Sequence, residues 1–179
     1  GWSLLPLGLL GLLVIVAYTP KITHSPWLCL IAPGLGFGPL MLLGSYFVLT
    51  GEYSWLALAV SLIPLLLVSN LLLLNQFPDL KADAQVGRRN IIIANNVPKG
   101  LAIFRWFLLG SFVVLLALVA FNYLPAKALL GLVSLIFAWP LYWQVLKVNT
   151  AEGVSNKLLG LNVMVNLSLP FLIALGLIL

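Results

Sequence analysis

The sequence predicts an all-helical integral membrane protein, a multi-span bundle forming one domain over residues 1–179. Of the 179 residues, 63% are hydrophobic and 7% charged, and mean hydropathy is +1.16. That composition excludes an ordinary water-soluble globular domain. The apolar residues also fall in long runs without the in-and-out alternation of a membrane barrel. No repeat, low-complexity linker or composition shift divides the chain.

Six apolar runs predict helices over 2–18, 27–49, 53–77, 101–123, 126–146 and 158–179, each near the roughly 20 residues that cross a bilayer. Internal Pro6, Pro33, Pro39, Pro64, Pro140 and Pro170 predict kinks rather than boundaries, because neighbouring helices can satisfy the freed carbonyls. Gly34, Gly36, Gly38 and Gly44 in the second run permit close helix packing or bring backbone next to a ligand. The chain opens on Gly1 rather than methionine, and its first apolar run has no basic segment before it, unlike a secretory signal. Sequence preceding Gly1 is therefore expected.

Connectors fall at 19–26, around Gly51, and at 78–100, 122–125 and 147–157. The first, third and fifth carry Lys21, Lys81, Arg88, Arg89, Lys99, Lys147 and Lys157, whereas the second and fourth have only Lys127, at the edge of the fourth. The excess of basic residues places the odd connectors in the cytoplasm. The net charge of +5 reflects this scatter and not a basic face with interleaved aromatics, so no nucleic-acid partner is expected; the lipid bilayer is. Cys29 is the single cysteine, which leaves neither a disulfide framework nor a cysteine metal site.

The segment Asn75-Gln-Phe-Pro-Asp79-Leu-Lys81-Ala-Asp83-Ala-Gln-Val-Gly87-Arg88-Arg89 holds the only two aspartates of the chain. Carboxylates beside a membrane are costly and pack poorly, so two at one-turn spacing form a site hypothesis. If the third helix continues past Phe77, Asp79 and Asp83 share a face with Asn75 one turn earlier. Such hard oxygen donors suit Mg²⁺, which would relieve the repulsion between paired carboxylates. Lys81, Arg88 and Arg89, with Lys99 nearby, offer cations to phosphate oxygens, so a diphosphate is a candidate ligand. A solvated loop, with Asp79 merely capping a helix after Pro78, explains the same residues. Spacing alone leaves both readings open. There is no nucleophile triad, His24 being the only histidine. Gly34-Leu-Gly36-Phe-Gly38 lacks the lysine of a nucleotide loop.

The acidic segment, followed by Gly87-Arg88-Arg89, resembles the second aspartate-rich motif of UbiA-type intramembrane prenyltransferases. The stretch from Gly38-Pro39 through Gly44-Ser-Tyr46 to Thr50-Gly51 is similar to the branch that prenylates 1,4-dihydroxy-2-naphthoate. Tyr18-Thr-Pro-Lys21 resembles a tyrosine-and-basic cytoplasmic element of the family. The family fold has nine helices, and the six runs here look like the fourth through ninth. The resemblance therefore implies the C-terminal two-thirds of that fold, without the first aspartate-rich motif.

The resemblance further implies an enzyme that transfers a polyprenyl group from its diphosphate to an aromatic acceptor in quinone biosynthesis, menaquinone in this branch. Asp79 and Asp83 would be catalytic and hold Mg²⁺. Asn75, Lys81, Arg88, Arg89, Tyr18 and Lys21 would bind substrate, in a bacterial or archaeal cytoplasmic membrane with the motif facing the cytoplasm. Tyr46, Trp106, Trp139 and Tyr142 are weaker candidates to stabilise an allylic cation, since such aromatics also serve as packing or interfacial anchors. A non-catalytic lipid-binding or scaffold relative is the alternative, motivated by the missing motif. A transporter ranks last, because no repeated half or matched pair of broken helices is present.

Overall fold

The structure, a computed structural model, describes residues 2–179. After a 3₁₀ turn (Trp2–Leu4), the helices are α1 (Leu5–Tyr18), α2 (Pro26–Thr50), α3 (Trp55–Asn75), α4 (Leu80–Gln85), α5 (Ile91–Ala94), α6 (Val97–Ala120), α7 (Ala126–Leu146) and α8 (Asn156–Ile178). Among the described residues, α2, α3, α6, α7 and α8 are long and apolar enough to cross a membrane. The first expected run is a continuous apolar helix with the expected bounds, Trp2–Tyr18, but falls short of that length. The fourth begins earlier than expected because Asn96 caps it, accepting the Lys99 N–H at 2.9 Å, and Pro98 fits its first turn.

Several sequence features shape the helices locally. Ser54 caps α3 by accepting the Ala57 N–H at 3.2 Å. In α2 the turn Gly36–Leu40 widens to π-helical geometry where Pro39 lies within it and Pro33 just before it, their missing N–H groups interrupting the regular ladder. The first half of α7, Ala126–Ser134, is 3₁₀-helical. Its buried residues Ala128, Gly131 and Ser134 recur every third position, the period that aligns one edge of a 3₁₀ helix. That edge lies against α8, where a side chain on Gly131 would crowd Leu169 and Ile173.

Helix α3 is the centre of the bundle, touching α2, α6 and α8. Leu67, Leu73 and Leu74 of α3 are buried with Phe104 and Leu108 of α6. Lipid is as apolar as these side chains, so shape and polar contacts hold the helices together rather than exclusion from water. One such contact joins α8 to α3: buried Asn162 donates to the Asn70 carbonyl at 3.3 Å. Another is the seam between α2 and α3. A Cβ on Gly34 would collide with the Leu65 carbonyl and Ser69 Oγ, and one on Gly38 would sit 2.7 Å from the Ser61 carbonyl. Gly34 and Gly38, four residues apart, thus let two backbones touch. Gly36, on the other side of α2, faces open space.

Four contacts sort the connectors into two ends. The Arg89 N–H donates to the Thr23 carbonyl at 3.0 Å, joining the first and third connectors. Lys81 Nζ lies 3.7 Å from Glu152 Oε1, joining the third and fifth. At the opposite end Tyr53 donates to the Ser3 carbonyl at 2.8 Å, and Lys127 donates to the Leu179 carbonyl at 2.6 Å. The odd connectors therefore share one end of the bundle.

Gly34→Val is expected to destabilise the bundle by about 1–3 kcal/mol or more through overpacking against backbone, whereas Gly36→Ala leaves stability unchanged. Thermal unfolding of the detergent-solubilised protein checks both; equal effects would refute the seam.

Candidate functional site

Helix α3 does not continue through the acidic segment, the condition under which Asn75, Asp79 and Asp83 would share one helix face. It ends at Asn75, where the Gln76 N–H bonds back to Leu72 and Leu73 carbonyls at 3.1 and 3.2 Å and the Phe77 N–H to Leu74 at 3.3 Å. Pro78 has no N–H to extend the ladder and disfavours helical geometry at Phe77. The chain turns and restarts as α4 with Asp79 at its N-cap position. The Asp83 N–H still donates to the Asp79 carbonyl at 2.8 Å, so the aspartates are one turn apart on a separate short helix. The Asp79 side chain makes no capping bond, contrary to the capping alternative.

Gly87 closes α4. Its φ of 75° is left-handed, a region that costs other residues more than glycine. Its N–H donates to the Ala84 carbonyl at 3.2 Å and the Arg88 N–H to the Asp83 carbonyl at 3.0 Å. That pair of bonds is a Schellman motif, which folds the chain back over the helix end. Arg88 consequently returns to Asp83, its Nη1 donating to Oδ1 at 3.0 Å. Asn90 Nδ2 donates to the other oxygen, Oδ2, at 3.1 Å. The Asn90 oxygen meanwhile accepts the N–H groups of Ile92 and Ile93 at 3.1 and 2.9 Å, capping α5. Asp83 is left only 8% exposed, while Asp79 is exposed.

A cavity of about 90 Å³ lies between these groups. Of the residues expected from sequence, Tyr18, Asn75, Asp79, Asp83 and Arg88 line it. Lys81, Arg89 and Lys21 do not: Lys81 turns to Glu152, and all three are exposed. Through Tyr18 and Leu72 the polar cavity borders an apolar one of about 620 Å³. That cavity shares Val14, Ile15, Gly36 and Met41 with a third of about 730 Å³. Together they make an apolar groove between α1 and α2 that leads away from the aspartates. Tyr46, Trp106, Trp139 and Tyr142 line none of the three; Trp139 and Tyr142 pack edge-on against Trp143.

The model of the UbiA prenyltransferase family matches residues 1–175. The chain belongs to the UbiA prenyltransferase family. Neither the comparison with curated proteins nor that with solved structures returned a match. Family membership makes this an integral membrane helical protein of a prenyltransferase lineage that uses prenyl diphosphates and aromatic acceptors.

In this UbiA-family chain the sequence reading passed over Thr23, Cys29, Gln76 and Asn90, which also line the polar cavity. Gln76 donates to buried Cys29 Sγ at 3.7 Å, tying the end of α3 to α2. The available signal for Asn90 was its position, an amide immediately before the apolar run Ile91-Ile-Ile93 and thus a helix cap. Outside the cavity, the Glu152 carboxyl is held below the usual range by a hydrogen bond to its own backbone N–H and then by the Lys81 charge. Any support from this contact is complete above the ordinary glutamate pKa and is lost as pH falls through the depressed value. Both partners are largely solvated, so it contributes little.

Asn90→Ala removes a cap worth about 1 kcal/mol and one partner of a buried carboxylate. Faster trypsin cleavage after Arg88 and Arg89 at neutral pH is the expected outcome. Lys81→Gln, which breaks only the solvated pair, should leave that rate unchanged.

Proposed function

We propose that this protein transfers a polyprenyl group from its diphosphate to an aromatic quinone precursor such as 1,4-dihydroxy-2-naphthoate, an alkyl transfer serving menaquinone biosynthesis. The observation that carries this reading is the join between a small polar cavity holding two aspartates and an arginine and a long apolar groove. An amphipathic substrate with an anionic head and an isoprenoid tail matches that division. The naphthoate assignment rests on the resemblance of the stretch Gly38 to Gly51, from which Met41, Gly44 and Ser45 line the groove.

The donor chemistry fits Mg²⁺. Asp79 carries a carboxylate without a capping bond, Asp83 a second, and Asn75 an amide oxygen in the same lining. Among the described residues no group of three or more His, Cys, Asp and Glu side chains gathers. That suits a cation which takes one or two carboxylates and completes its shell with water and substrate phosphates. When bound, Mg²⁺ would neutralise the diphosphate and stabilise its departure.

The chain's own residues have separable tasks under this reading. Asp79 and Asp83 hold the cation, Asn75 supports it, and Arg88 donates to phosphate oxygens. Tyr18, at the seam of polar and apolar cavities, positions the first isoprenoid unit. Lys21, Lys81 and Arg89 lie outside the cavity and raise the positive potential at its mouth, the side proposed to face the cytoplasm. In the transfer the allylic carbon–oxygen bond breaks and its electron pair leaves with diphosphate. A ring carbon of the acceptor forms the new carbon–carbon bond and loses its proton.

A second reading is favoured by one observation. Two aspartates on one short helix are a single motif, and a relative that binds the lipid diphosphate without turning it over would need no more. The two readings separate in proteoliposomes containing the complete gene product. Prenylated naphthoate and free diphosphate should appear together and only with Mg²⁺. Asp79→Asn and Asp83→Asn should each lower kcat about a hundredfold or more, and the exposed Asp79 variant should do so without changing thermal stability. Retained turnover in the double variant would refute the assigned roles, and polyprenyl diphosphate binding without release would favour the lipid-binding relative.

A further inference from the structure

Resting on the prenyl-transfer reading, we propose that Arg88 is an exchangeable counterion: it neutralises Asp83 in the substrate-free protein and passes to the diphosphate on binding. Cation binding and diphosphate binding are thereby coupled.

A nearly buried carboxylate requires compensation, and Asp83 receives it from two groups of different kinds. Asn90 is itself buried and fixed by capping α5. Arg88 is not fixed in the same way. Its side chain is 52% exposed where that of Asp83 is 11% exposed, and one nitrogen, Nη1, makes the contact. A guanidinium carries five donors, so most of its capacity is unused by Asp83. Its backbone is pinned by the Schellman bond to the Asp83 carbonyl. Exchange thus needs only side-chain rotation about a fixed Cα, and Arg88 already lines the cavity.

The competition follows from position. A cation shared by Asp79 and Asp83 must take a carboxylate that Arg88 already occupies. A diphosphate offers pairs of oxygens to the planar guanidinium fork, a bidentate match that the single contact to Asp83 Oδ1 does not make. Drawing Arg88 onto phosphate frees Asp83 for the cation, while Asn90 continues to donate to Oδ2. By linkage the effect is reciprocal: the cation, by displacing Arg88, raises affinity for diphosphate. Asp79, one turn away and exposed, has no comparable internal partner among the described contacts.

The test reads Mn²⁺ binding by electron paramagnetic resonance on the complete protein in nanodiscs, without prenyl substrate. Arg88→Ala is expected to bind Mn²⁺ about tenfold tighter than the unaltered protein, within the usual span of coupling between sites. Arg89→Ala deletes the same charge from a side chain outside the cavity, so it reports the general field and should shift affinity far less. Arg88→Gln, which keeps the stem, is measured alongside should the alanine variant fail to fold. Inorganic pyrophosphate should tighten Mn²⁺ binding more in the unaltered protein than in the Arg88 variants. Equal shifts for the Arg88 and Arg89 variants would overturn the exchange while leaving the cation site standing. Unchanged Mn²⁺ binding in Asp83→Asn would overturn both the exchange and the metal reading.

Discussion

The contact of α2 with α3 sets the geometry of everything at the polar end of the bundle. With Gly34 and Gly38 against Ser61, Leu65 and Ser69, the two backbones approach as closely as atoms allow. Cys29, in the first turns of α2, then meets Gln76 just past the end of α3. From that fixed point the chain can turn at Phe77 and Pro78 and deliver α4 beside Tyr18 and Thr23. In lipid no solvent exclusion drives such helices together, so a seam of small residues does what a hydrophobic core does in water. The polar cavity inherits its precision from this seam, because the aspartates ride on a helix of only six residues, too short to fix its own position.

Fold class and the five membrane-length helices were legible because the hydrocarbon imposes a length and a composition that any sequence must show. The alternation of basic residues was legible too, and the ties from Arg89 to Thr23 and from Lys81 to Glu152 bring the odd connectors to one end. What apolar composition hides is geometry within a helix. Nothing in the hydropathy of 126–146 separates its 3₁₀ half from its α half. The separation appears only in the three-residue spacing of Ala128, Gly131 and Ser134. Asn70 and Asn162 were likewise passed over, since a lone amide in an apolar run reveals its partner only once helices are packed.

The candidate site was legible as a set of residue types, most of which line one cavity, and illegible as a shape. Asn75, Asp79, Asp83, Arg88 and Tyr18 converge on one cavity. The continuous helix on which a shared face with Asn75 depended does not form. Pro78 breaks it, and one-turn spacing survives because α4 restarts at once. Lys81 shows the limit of reading by proximity. It sits between the aspartates in sequence, yet a helix sends intervening residues to another face, and Lys81 meets Glu152. Asn90 shows the converse, seven residues from Asp83 and bonded to it because Gly87 reverses the chain.

The division of volume between the cavities constrains how a lipid substrate is recognised. For a soluble enzyme, burying an isoprenoid tail would supply most of the affinity, at about 0.8 kcal/mol per methylene. Here the tail already resides in an apolar solvent, so transfer from bilayer to groove gains only packing contacts. Under the proposed reading the groove between α1 and α2 would orient a tail and limit its length while adding little attraction. Under the proposed prenyl transfer, affinity and selectivity for a diphosphate would then come from the cavity of about 90 Å³. That cavity presents both signs of charge, two carboxylates on α4 and an arginine just past its C-terminal turn. A site with only carboxylates would repel the head group, and one with only cations would hold it without helping it leave. Placing Arg88 against Asp83 keeps both kinds of group at hand while neither is left uncompensated beside the membrane.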